Sequence, residues 1–158
     1  MRAAAGAARP AATRTELAVR FADVDMMQVV HHSAYLHWFE QIRFHFLHEV
    51  LGISFDQLLE AAIALPLTEC RVAYKKALRF GDLPVGYVRL EVFREARFAL
   101  HYALYNGDTG APAATGVTTH CFLGPQFRLL PQTPALFGEA IERVRVLHPE
   151  CLYRKEEQ

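Results

Sequence analysis

One stretch of this sequence carries most of the information about its fold. Residues 19–43 read VRFADVDMMQVVHHSAYLHWFEQIR. Two acids, Asp23 and Asp25, and two histidines, His31 and His32, lie close together just before a strongly patterned run. The stretch therefore concentrates titratable side chains at one predicted bend of the chain.

The run after the bend is patterned as a helix. Ser33 is the predicted N-cap, and apolar residues then recur at intervals of four, three and four. These residues are Tyr35, Phe39, Ile42 and Phe46. We predict the principal helix over residues 34–50, with this apolar stripe in the core. Glu40 and Arg43 lie three residues apart on it and are most simply an ion pair.

The remainder of the chain predicts mainly strands. Apolar alternation predicts strands at 16–21, 85–94, 97–105 and 113–123, and an apolar run broken by Pro66 predicts another at 63–77. The sequence NGDTG at 106–110 predicts a hairpin turn. A short helix is predicted from Ser54 to about Ala62, and a last helix over 134–146. This order of elements predicts an α+β domain with an antiparallel sheet.

Composition indicates one folded unit. The 158 residues are 52% hydrophobic, which is enough to bury a core. We expect a disordered tail at 1–14, a domain at 15–148 and a charged C-terminal tail at 149–158. Lys plus Arg equals Asp plus Glu, 17 against 17, so no strong net field favours nucleic acid or anionic lipid as a partner. No apolar run reaches the length of a membrane span.

Cysteine usage indicates a reducing compartment, which we expect to be the cytoplasm. Cys70, Cys121 and Cys151 are odd in number, widely spaced and outside any Cys-x-x-Cys pattern. This arrangement argues against a disulfide framework and against structural zinc.

Residue types alone leave three interpretations of the bend. Its acids can simply accept backbone hydrogen bonds in a turn, with the histidines in solvent. Asp23, Asp25, His31 and His32 can instead supply oxygen and nitrogen ligands to a metal ion, although their spacing matches no strong ligand motif. In the third interpretation, a carboxylate beside a helix N-terminus performs acyl transfer, because the free amides of the helix attract developing negative charge.

A resemblance to a known family bears on this choice. Residues 19–43 resemble the signature of hotdog-fold acyl-CoA thioesterases of the 4-hydroxybenzoyl-CoA thioesterase type. In that signature, Asp-x-Asp and a turn precede a helix that begins Tyr-Leu-x-Trp/Phe-Phe-Glu. Residues 74–82, YKKALRFGD, are similar to the second strand and turn of the family. The resemblance covers about residues 15–125.

The resemblance implies a fold, an activity and site residues. The fold is a hotdog, an antiparallel sheet wrapped around a long central helix. The activity is hydrolysis of an acyl-CoA thioester without a metal or other cofactor, in a homodimer or homotetramer with sites at the subunit boundary. Asp25 matches the catalytic acid, as nucleophile or general base, and His32 lies at the helix mouth, where its N–H binds the thioester oxygen. Asp23 is expected to have a structural turn role and His31 no role.

The chain also departs from the family pattern. Gln28 replaces a usual Gly, Phe21 a frequent Tyr, Ala34 a frequent Asn and Ala77 a common Pro. The glycine position suggests a turn that requires positive φ or a close backbone approach. The departures at Gln28 and Phe21 motivate one alternative, a noncatalytic acyl-binding hotdog protein. A thioesterase acting on acyl-carrier protein is a separate alternative.

We make weaker predictions about the roles of the other polar residues. Lys75, Lys76, Arg79 and Arg89 are candidates for binding the phosphates of coenzyme A, and a solvated strand face explains them equally well. His101 and His120 are expected to be sheet-face residues rather than a second catalytic pair.

Overall fold

A computed structural model describes residues 9–155 of the protein. In this part of the chain, five antiparallel strands form one sheet in the order β1-β3-β4-β5-β2. They are β1 (Thr15–Glu16), β2 (Leu67–Tyr74), β3 (Pro84–Val92), β4 (Arg97–Asn106) and β5 (Pro112–Cys121). The predicted α+β architecture with an antiparallel sheet is confirmed, and β2 lies at one edge of that sheet.

Three α-helices accompany the sheet within the described residues. They are α1 (His32–His45), which continues as a π-helical turn over Phe46–Val50, α2 (Phe55–Glu60) and α3 (Ala135–Leu147). The predicted long helix is confirmed, although it begins two residues earlier than expected. None of the helices in the described part of the chain is long and apolar enough to span a membrane.

The predicted strand at 16–21 is wrong beyond Glu16. Residues Phe21–Asp23 form a 3₁₀ turn, and Phe21 is 84% exposed instead of packing beside Leu17. The reason lies in a capping box, because Asp23 accepts hydrogen bonds from the backbone and side chain of Arg20. These bonds turn the chain where apolar alternation alone favours an extended strand.

Two glycines allow α1 to lie directly on the sheet. A Cβ atom at Gly116 would overlap the ring of Phe39, and one at Gly86 would overlap the side chain of Ile42. In the space available, Phe39 stacks on Tyr102 with ring centroids 4.3 Å apart. The apolar stripe of α1 is therefore core, as predicted, and is sandwiched against β3, β4 and β5.

Segments predicted as tails pack on the sheet where they are described. The Thr13 hydroxyl is buried and accepts a hydrogen bond of 3.1 Å from the Val88 N–H. Near the other end, Cys151 is fully buried and the Tyr153 N–H donates to the Leu90 carbonyl at 2.8 Å. Residues 1–8 and 156–158 of the predicted tails lie outside the described residues. The folded domain therefore begins before residue 15 and continues beyond residue 148. All three cysteines are free.

Candidate active site

Asp25 lies in a tight turn between Val24 and Val30, which pair as an antiparallel bridge. Its N–H donates to the Val29 carbonyl at 3.0 Å, and its Oδ1 accepts from the Met27 N–H at 2.8 Å. Within residues 9–155, the other carboxylate oxygen, Oδ2, has no hydrogen-bond partner. One oxygen of Asp25 therefore fixes the turn and the second is available for chemistry.

Gln28 completes this turn in the left-handed conformation. Its φ is +60°, and its N–H donates to the Asp25 carbonyl at 2.9 Å. Of the two expectations for this position, positive φ or a close backbone approach, positive φ is confirmed. The turn keeps the conformation that suits glycine although a side chain is present.

Asp23 is buried, and both of its carboxylate oxygens accept hydrogen bonds. Its carboxylate accepts hydrogen bonds from the N–H, Nε and Nη2 of Arg20 at 2.8, 3.2 and 2.9 Å. The side-chain bonds from Arg20 lower the pKa of Asp23 and outweigh the opposing effect of burial. The Asp23 carbonyl accepts from the His31 N–H at 2.7 Å. Asp23 thus joins the 3₁₀ turn to the start of α1, which agrees with the expected structural role.

The lowered pKa of Asp23 predicts a loss of stability in acid. Ionised Asp23 stabilises the fold above the unfolded-state pKa of about 3.9, and this contribution is lost as pH falls through the lower folded-state pKa. We expect Asp23→Asn to lower Tm at neutral pH and the difference from wild type to shrink toward about pH 2. Thermal unfolding followed by circular dichroism, from neutral pH to about pH 2, measures this difference in Tm. A difference that stays constant with pH would contradict the assignment.

His31, not Ser33, caps α1. Its Nδ1 accepts from the Ser33 N–H at 3.3 Å, and its carbonyl accepts from the Ala34 N–H at 3.0 Å. The prediction of Ser33 as N-cap was wrong, and His31, which we expected to take no part in the chemistry, has this structural role. Histidine is an uncommon cap, so residue type gave no signal for it.

His32 is the first residue of α1, and its backbone is more informative than its side chain. No acceptor for its N–H is present among residues 9–155. Its carbonyl accepts from the Tyr74 hydroxyl at 3.2 Å. The imidazole is exposed and packs against that of His31, with ring centroids 4.0 Å apart. The helix therefore begins with an unpaired amide at the position that the resemblance indicates.

Asp25 and the start of α1 line one depression of about 390 Å³. His31, Ser33, Ala34 and His37 contribute the helix side of it. Asp25 and the residues at the positive end of the α1 dipole thus border one open space. In the part of the chain that the structure describes, no three His, Cys, Asp or Glu side chains are grouped to bind a metal ion.

The remaining sequence candidates are dispersed. Lys75, Lys76 and Arg79 are exposed on the segment after β2, which runs beside the start of α1 because the Val30 N–H donates to the Leu78 carbonyl. Arg89 lies elsewhere, with its Nε bonded to the Glu150 carbonyl at 3.2 Å. The structure therefore does not bring the four basic residues into one cluster.

The two sheet histidines lie on separate faces. His101 bonds to Glu91 at 2.7 Å, whereas His120 is buried on the α1 side, stacked on Phe98 with ring centroids 5.0 Å apart. They form no catalytic pair, as expected. Glu40 and Arg43 form the predicted ion pair at 3.3 Å.

Comparisons with known proteins agree on one family. The sequence model of the thioesterase-like superfamily matches residues 19–141. The putative acyl-CoA thioesterase YneP of Bacillus subtilis (strain 168) is 28% identical over 94 residues, which are 60% of this chain and 67% of that protein.

Solved structures share the fold. The DHNA-CoA thioesterase from Staphylococcus aureus is 26% identical with a TM-score of 0.77, covering 91% of this chain and 97% of that one. A hypothetical protein from Staphylococcus aureus, solved in complex with CoA, is 18% identical with a TM-score of 0.77, covering 92% of this chain and 89% of that one. The second likeness concerns the fold alone. The chain therefore belongs to the thioesterase-like superfamily, and it is a thioester hydrolase with the hotdog fold that residues 19–43 predicted.

Proposed function

We propose that this protein hydrolyses an acyl-CoA thioester to the free acid and CoA. The observation that carries the proposal is the depression shared by the Asp25 carboxylate and the start of α1, together with the unpaired N–H of His32. The family membership and the name of the YneP relative support the same activity.

The proposed mechanism uses the helix start as an oxyanion site. The thioester carbonyl oxygen binds at the N–H of His32, where the helix dipole stabilises the negative charge that develops on it. Asp25 then either removes a proton from the attacking water or attacks the carbonyl carbon itself, with water hydrolysing the resulting anhydride. In both routes the carbon–sulfur bond breaks and CoA leaves as the thiol.

We propose that exposed cations near the helix start bind the CoA phosphates. Lys75, Lys76 and Arg79 are suitable because they are exposed and lie on the segment bonded to Val30. Arg89 is remote from this segment and bonded elsewhere, so we assign it no such role.

We also propose a homodimer that forms through the β2 edge. This edge has no strand beside it among the described residues, and Leu67 and Tyr74 on it are 54% and 50% exposed. The backbone N–H and C=O groups of an open, apolar edge strand can form hydrogen bonds with a strand of a second copy. We expect sedimentation velocity to give the mass of a dimer or of a tetramer built from dimers. A monomer at all concentrations would contradict this proposal.

Release of CoA thiol from a panel of aromatic, short and long acyl-CoA thioesters tests the activity. We expect turnover of at least one substrate in the presence of a chelator. The alternative of a noncatalytic acyl-binding protein would instead give binding without thiol release. Turnover of acyl-carrier-protein thioesters alone would favour the other alternative.

A further inference from the structure

The start of α1 is held by residues 74–78, which are the last residue of β2 and the four that follow it. The Tyr74 hydroxyl donates to the His32 carbonyl at 3.2 Å. The Val30 N–H donates to the Leu78 carbonyl at 2.8 Å. Both bonds act where the bend ends and the helix begins, so this segment fixes the chain at that point.

Ring packing places Tyr74 on α1 independently of its hydroxyl. The Tyr74 ring packs edge-to-face on that of Tyr35, with centroids 5.0 Å apart and ring planes at 85°. Tyr35 is buried and packs in turn on Trp38, with centroids 5.1 Å apart. Edge-to-face packing is a favourable arrangement of aromatic rings. The ring of Tyr74 can therefore keep its place without the hydroxyl, and the hydroxyl makes a separate contact with the helix backbone.

The direction of the bond between Tyr74 and His32 is unambiguous. A backbone carbonyl can only accept, so the hydroxyl must donate. Partial burial, followed by the nearby thiol of Cys70, raises the pKa of Tyr74 above its usual value. Tyr74 therefore keeps its hydrogen at neutral pH and remains a donor to the helix.

The bond from Tyr74 acts on the residue whose N–H is proposed to bind the thioester oxygen. That N–H belongs to the peptide group between His31 and His32, whose carbonyl accepts from the Ala34 N–H at 3.0 Å. The next peptide group begins with the His32 carbonyl, which Tyr74 holds. Both peptide groups that flank the His32 Cα are therefore restrained, and with them the direction of the His32 N–H.

Precise placement of this N–H matters for the reaction. A hydrogen-bond donor stabilises developing negative charge only when it is aimed at the position that the oxyanion will occupy. A displacement of about 1 Å at a reacting centre can reduce the rate by about 100-fold. The first turn of a helix has few backbone hydrogen bonds of its own, so contacts from outside the helix have to fix it.

We infer that Tyr74 is a positioning residue for thioester hydrolysis, which acts through the His32 carbonyl to hold the His32 N–H where the thioester oxygen binds. This inference rests on the proposed acyl-CoA hydrolysis and adds a residue to its site. Tyr74 itself does not touch the thioester. Because the N–H binds the oxygen most strongly in the transition state, loss of the hydroxyl should affect kcat more than KM.

Tyr74→Phe tests the inference, because it removes the hydroxyl and keeps the ring on Tyr35. With the acyl-CoA of the panel that wild type hydrolyses fastest, kcat should fall about tenfold and KM should stay within a factor of about two. Tm should remain near that of wild type. Thiol release over a range of substrate concentrations gives both constants. A purely structural contribution of the hydroxyl would lower Tm without a selective loss of kcat.

Infrared spectroscopy of the bound thioester gives a second measurement, made on the carbonyl itself. The slow variant Asp25→Asn is mixed with an acyl-CoA that carries ¹³C at the thioester carbon, and the carbonyl stretching band is recorded. Adding Tyr74→Phe to this variant should move the band to higher frequency, because a misplaced N–H forms a weaker hydrogen bond with the oxygen.

Tyr105→Phe is the matched control, because the ring of Tyr105 contacts Arg9 and Tyr87 on the sheet instead of α1. It should leave kcat, KM and the carbonyl band unchanged. Tyr74→Leu, which also lacks the hydroxyl, gives the same comparison if Tyr74→Phe fails to fold.

Two results would overturn the inference and leave the proposed hydrolysis intact. One is equal kcat for Tyr74→Phe and wild type, and the other is a lower kcat with an unshifted carbonyl band. Absence of turnover of every acyl-CoA by wild type would refute the proposed hydrolysis and the inference with it.

Discussion

Asp25→Asn is expected to lower kcat for thioester hydrolysis by about 10²–10⁴-fold, the usual contribution of a general acid or base. The substitution removes the ionisable group and little else. The asparagine side-chain oxygen can still accept the hydrogen bond that Asp25 Oδ1 receives from the Met27 N–H. The turn should therefore persist, and Tm should stay near that of wild type. Thiol release under saturating substrate measures kcat directly.

Asp108→Asn provides the matched control for this prediction. Asp108 is exposed in the hairpin turn between β4 and β5, outside the Asp25 depression. The same change of charge there should leave kcat within a factor of about two. If Asp25→Asn retained full activity, Asp25 would be neither nucleophile nor base. The carboxylate would then serve only the turn, which was the first interpretation of the bend.

Gly116→Val should destabilise the fold by about 3 kcal/mol or more and lower Tm by about 10 °C, because overpacking a core forces side chains and backbone apart. A Cβ at Gly116 would overlap the Phe39 ring and would also lie 3.2 Å from the Arg71 carbonyl oxygen. The ring of Phe39 cannot withdraw easily, because it is stacked on Tyr102. Chemical denaturation gives the free energy of unfolding.

Gly138→Ala is expected to have the opposite effect on stability. Gly138 lies inside α3, and a Cβ there would meet no atom within 4 Å. Alanine in a helix interior is favoured over glycine by about 1 kcal/mol, so this variant should be more stable than wild type. Equal losses of stability in the two variants would show that the close contact of α1 with the sheet does not depend on Gly116.

Local patterns in the sequence determined the elements of the fold. The spacing of Tyr35, Phe39, Ile42 and Phe46 predicted the long helix and its buried face, because helical periodicity is a property of neighbouring residues. Apolar alternation similarly located β3, β4 and β5. The turn at Asp25 and the left-handed position of Gln28 followed from the resemblance in residues 19–43.

The tertiary structure alone decided what those elements bring together. Alternation predicted a strand through Phe21, but the Arg20–Asp23 hydrogen bonds end it, and His31 caps a helix that Ser33 was expected to cap. Arg43 and His120 are 77 residues apart and meet only because β5 lies under α1. The reason is physical: periodicity reports which face of an element is buried, whereas partners across the core depend on strand order, register and close packing, which arise from the whole chain.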